Sequence, residues 1–145
     1  MRVLKNLAVL GMAAAMGVSS TIAVAEGDLT RRPTKLPELV LGTEDNRYHM
    51  SQKEYHLETG KSYKLEIVSS GQTEYALKAP EFFESIFLRK VEAGDMEIKA
   101  ISLTELEFEQ EAEAEIYFVP IKPGKFEFYA EGLEEKGMEG VFIVK

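Results

Sequence analysis

From Glu105 to Glu115 a glutamate stands at every second position, set against Leu106, Phe108, Ala112, Ala114 and Ile116. A repeat of two is the period of an extended strand, whose side chains alternate between faces. The run therefore predicts a strand or hairpin with one wet face and one buried face. The same period returns at Tyr63, Leu65 and Ile67 against Ser62, Lys64 and Glu66, and at Tyr55 and Leu57 against Glu54, His56 and Glu58. Thr59-Gly60 and Ser69-Ser70-Gly71 are turn signals between these runs, and Thr73 to Leu77 resumes the alternation. Leu36 to Leu41 is expected as a first strand and Thr43 to Arg47 as a turn. The last third adds a turn at Pro123-Gly124, an alternating strand from Lys125 to Ala130, a loop of charge and glycine, and a closing strand from Val141 to Val144. Many short strands separated by turns predict an all-β sandwich.

One stretch departs from that pattern. Pro80 suits the first position of a helix, Glu81 and Glu84 suit its positive end, and Phe82, Phe83, Ile86 and Phe87 form a stripe at helical spacing. A single short helix from Glu81 to Lys90 is expected, capping an open end of the sandwich.

The N-terminus reads as an export signal. Arg2 and Lys5 form a basic start, Leu7 to Val18 is apolar, and Ala23-Val24-Ala25 gives the small-residue pattern of a cleavage site. The expected organisation is a signal peptide over 1–25, a flexible leader over 26–37, and one domain over 38–145, located in the periplasm and not inserted in the membrane after cleavage. Residues 26–145 carry a net charge of −10, against −8 for the whole chain. An acidic surface of that size argues against nucleic acid or an anionic membrane as partner. The chain has no cysteine, which excludes disulfides, thiolate catalysis, Cys-type zinc sites and a type 1 copper site.

The segments YHLETGKSYKLEIVSSGQTEYALKAPEF and GKFEFYAEGLEEKGMEGVFIV, starting at Tyr55 and Gly124 in this chain, resemble the cupredoxins, the blue-copper sandwich family. The resemblance extends from about Tyr48 to Lys145 and implies a Greek-key β-sandwich. It also implies a place for the metal. On that register the family's copper ligands fall at Glu74 and Ala130, where the family has histidine and cysteine, at Glu134 or Glu135 in place of the second histidine, and at Met138, which is filled as expected. Three of four positions are altered, so blue-copper electron transfer is not implied. The Glu74-Tyr75 pair is similar to cupredoxin domains of periplasmic iron-uptake proteins, which place a glutamate at that histidine position.

Carboxylates in place of histidines are ligands for harder cations, while thioether and imidazole suit copper. Glu74, Glu134 or Glu135, and Met138 are therefore the candidate metal ligands, with His49, Met50 and His56 as further donors. The expected ion is copper ahead of iron, held at a thiolate-free site for metal handling or delivery. The glutamate ladder itself lacks the clustered oxygens and tight glycine turn of a calcium loop and is expected to be a solvated face. The alternative is a metal-free interaction module or subunit, whose Glu81–Lys90 helix and acidic face dock a membrane transporter or another periplasmic protein. An exposed patch at Phe82, Phe83 and Phe87 would favour it. No Gly-x-Ser-x-Gly elbow, phosphate-binding glycine loop or His-Glu-x-x-His motif is present, so catalysis is not expected.

Overall fold

A computed structural model describes residues 31–145, which form two facing β-sheets around one apolar core. The expected signal peptide and residues 26–30 of the expected leader lie outside the described residues. The first sheet has six strands: β1 (Thr34–Lys35), β2 (Leu39–Leu41), β4 (Tyr63–Ser70), β6 (Ile86–Ala93), β7 (Met96–Ile98) and β9 (Glu111–Pro120). β4, β9, β6 and β7 lie side by side, and β1 and β2 both pair with the outer edge of β4. The second sheet has five strands in the order β3 (Glu54–Leu57), β11 (Glu139–Val144), β10 (Gly124–Ala130), β5 (Tyr75–Lys78) and β8 (Leu106–Phe108).

The alternating runs fold as their period requires. Tyr63, Leu65 and Ile67 are buried on β4, and Tyr55 and Leu57 on β3, while Glu54 and His56 face solvent. The glutamate run divides between the sheets: its first part is β8, paired with β5, and its second part is β9, paired with β4 and β6. Ala114, Ile116 and Phe118 of β9 point into the core.

Two expectations are corrected. The helix is a single turn, α1 (Pro80–Phe83), and not a helix through Lys90. Ile86 and Leu88 are buried with Phe87 exposed between them, so the chain from Ile86 runs as a strand along β9. The stripe of Phe82, Phe83 and Ile86 fits a helix and a turn-then-strand equally well, and the ladder with β9 decides between them. The leader is also shorter than expected. Thr34 N–H donates to Ser62 O (2.8 Å) and Leu36 N–H to Lys64 O (2.9 Å), and Leu36 is buried. Among the described residues the strand pairing thus starts at Thr34, inside the expected leader.

α1 serves as a plug. The Phe82 ring stacks on Phe142 (centroids 3.9 Å apart) and meets Phe118 edge-on at 5.3 Å, which joins the two sheets through one side chain. Phe82 and Phe83 are both buried, so the apolar patch expected at Phe82, Phe83 and Phe87 is not on the surface; of the three only Phe87 is exposed. Among the described residues no helix is long and apolar enough to cross a membrane.

Candidate metal centre

Three loops meet at the end of the sandwich opposite α1: residues 42–53 after β2, residues 71–74 between β4 and β5, and residues 131–138 between β10 and β11. The first is pinned to the second by Tyr75. Its ring is fully buried, and its hydroxyl donates to Arg47 O at 2.6 Å. Gly42 makes this possible. It has φ +76°, and a Cβ there would fall inside the envelopes of the Tyr75 hydroxyl and Ser70 Oγ. The first loop is tied to the third by the Lys53 ammonium, which donates to Gly137 O, and by Lys136, whose Nζ lies 5.5 Å from the Tyr48 ring centroid.

The third loop closes on itself. Leu133 N–H donates to Ala130 O (3.0 Å), Met138 N–H to Leu133 O (3.2 Å) and Ala130 N–H to Met138 O (2.9 Å). A one-turn 3-10 helix (Glu134–Lys136) between them ends at Gly137 with φ +84°. This closure draws Met138 inward until none of it is exposed.

Glu74 is exposed at the start of β5. Ala130 and Met138 are both 0 % exposed and belong to the apolar core. Glu134 is half-buried and Glu135 exposed, so of the two Glu134 is the one turned toward the protein. His49 is half-buried, and Met50 is buried beneath a bridge to Leu41. His56 does not join this end. It sits on the outward side of β3 opposite Ile143, its side chain 64 % exposed and its Nε2 2.5 Å from Glu54 Oε1.

Among the described residues no three His, Asp or Glu side chains stand close enough to share one ion. The type 1 copper set does not fit this end. At the positions that the sequence resemblance aligns with its thiolate and first imidazole, Ala130 offers no donor and Glu74 is exposed.

The outer face of the first sheet carries a charge network that takes in Glu115 of the glutamate ladder, which was expected to be a solvated face. Tyr117 donates to Glu115 (2.7 Å) or Glu92 (3.1 Å), lies between Lys64 and Lys90, and has its hydroxyl pushed up by burial and by those two carboxylates. Every polar group in it has a partner, which marks it as a structural lattice across β4, β9 and β6. Its signal in the sequence was the interleaving of Lys64, Lys90 and Glu92 with buried positions on neighbouring strands.

No protein-family model and no curated protein sequence matches the chain. Solved structures do. A multicopper oxidase from Pseudomonas thermotolerans superposes with a TM-score of 0.60 at 18% identity, over 85% of this chain and 32% of that one. A multicopper oxidase from Campylobacter jejuni superposes with a TM-score of 0.54 at 11% identity, over 80% of this chain and 31% of that one. A copper nitrite reductase from Nitrosomonas europaea gives 0.51 at 11% identity, over 66% and 33%. The fold is cupredoxin-like. This cupredoxin-like chain spans about a third of the length of those structures, and at such identities the likeness establishes the fold alone.

Proposed function

We propose that the protein is an exported cupredoxin-like interaction module, a subunit or accessory that keeps the sandwich as a scaffold, rather than a carrier of type 1 copper or an enzyme. One observation carries this reading. Ala130, which the sequence resemblance aligns with the family's thiolate, is sealed in an apolar core beside Met138, and among the described residues no trio of carboxylate or imidazole donors is gathered. The basic, apolar and small-residue pattern over 1–25 supports export to the periplasm.

A second reading, a weak site for copper ahead of iron, rests on the meeting of the 42–53 and 131–138 loops, which brings the half-buried His49 and Glu134 to the same end of the sandwich. Titration of the purified protein with Cu(II), Cu(I), Fe(II) and Fe(III) against competing chelators separates the two. The scaffold reading predicts no saturable, stoichiometric binding. One ion per chain, lost in Glu74→Ala, Glu134→Ala or His49→Ala, establishes the metal site instead.

A further inference from the structure

On one flank both sheets end in a strand that, among the described residues, has a neighbour on one side only: β7 in the first sheet and β8 in the second. Directly paired residues of antiparallel strands share a face. Met96 is opposite Ala93, and Ile98 is opposite Val91. Val91 is buried and Ala93 packs against the core, whereas Glu97, opposite Glu92, binds Lys90 on the outer face. Met96 and Ile98 therefore lie on the core-facing side of the first sheet. Yet they are 63 % and 40 % exposed, because no described strand of the second sheet lies beyond β8 to cover them. Ala100 and Leu103 of the stretch that crosses to β8 pack on the core, while Ile101 stays in solvent. A groove of about 410 Å³ runs along β8, with Ala93, Leu106 and Ala114 among its lining and the exposed Glu107, Glu109 and Glu113 at its rim.

We propose that this flank accepts an extended segment of a basic partner protein, added as a strand on the free edge of β8. This deepens the interaction-module reading and rests on it. Among the described residues the outer edge of β8 has no strand beside it, which leaves a template for strand addition. A strand placed there would lay alternate side chains over Met96, Ile98 and Ala93, which calls for apolar residues. Its other side chains would stand beside Glu107, which faces outward between the inward Leu106 and Phe108, and beside Glu109; that calls for lysine or arginine. A second copy of this chain brings the same glutamates against each other, so charge selects a basic occupant over self-pairing.

The test uses ¹⁵N-labelled protein and a capped nine-residue peptide alternating valine and lysine, with a valine–glutamate peptide as control. The proposal expects amide shifts confined to residues 93–98 and 106–114 with the lysine peptide only. It expects about tenfold weaker binding in Glu107→Lys/Glu109→Lys, whose side chains are exposed and whose circular dichroism stays unchanged. Ile98→Lys, a change on the apolar side, weakens binding as well. Equal binding of both peptides, shifts on another face, no binding at all, or dimerisation through these amides each overturns it. No peptide binding together with no metal binding leaves an interaction module with a different surface. A stoichiometric metal site removes the module reading whichever way the peptide result falls.

Discussion

Replacing Gly42 by alanine tests the lock that holds the loop end of the sandwich. The φ of +76° costs a residue with a Cβ about 1–2 kcal/mol. The added methyl also meets the Tyr75 hydroxyl and Ser70 Oγ, with Tyr75 Cζ at 2.9 Å, and overpacking of this kind costs about 1–3 kcal/mol. Gly42→Ala should thus destabilise by roughly 2–5 kcal/mol. Tyr75→Phe removes the bond to Arg47 O and strands that carbonyl, at about 1–2 kcal/mol. The double variant is the sharper case. Without the phenol oxygen its overlap disappears, while the φ penalty and the overlaps with Ser70 Oγ and the ring Cζ remain. Its loss should fall short of the sum of the single losses by about 1 kcal/mol. Urea unfolding followed by far-ultraviolet circular dichroism reads all three changes, with equal m-values required for the comparison. A Gly42→Ala loss under about 1 kcal/mol, or a strictly additive cycle, would refute the lock.

Met138→Ala empties a fully buried thioether site and should cost about 2–5 kcal/mol in the same assay; a neutral result would place Met138 outside the core. Gly140→Ala drives a Cβ into the Phe128 ring and to 2.6 Å from Lys53 O, and should lower stability by about 1–3 kcal/mol. The Glu97 carboxyl is held at about 2 by hydrogen bonds from Lys99 and Lys90. Because the folded value is the lower one, its contribution is full above the ordinary carboxylate range, near 4.5, and is lost as pH falls toward 2. An NMR titration should find Glu97 below the ordinary carboxylate range, and Lys99→Ala should move it upward.

The strands were legible because alternation is a local property. Tyr63, Leu65 and Ile67, the β8–β9 glutamates and the closing pair β10–β11 each declare their faces within a few residues. The short helix was legible only in part. Phe82, Phe83 and Ile86 satisfy a helical stripe, and what turns Ile86 onward into β6 is the ladder with β9, some thirty residues away in sequence. Leu36 was visible as apolar, but its pairing with β4 is a long-range event. The candidate site was the least legible. Ala130 N–H donates to Met138 O across one loop, but whether Glu74, Glu134 and His49 converge depends on loop paths that no periodicity encodes. His56 was misleading because its strand is near the site in sequence, while its side chain faces outward beside Glu54.

The most direct measurement on the central claim is methyl NMR of the protein carrying ¹³C-methyl methionine, titrated with Cu(I). Met50, Met96 and Met138 are the methionines of the sandwich. An intact apolar core predicts that the Met138 methyl holds its position through one equivalent and beyond, with changes limited to the exposed Met96. A stoichiometric shift of Met138 accompanied by His49 would contradict the account and restore a metal centre at the loop end.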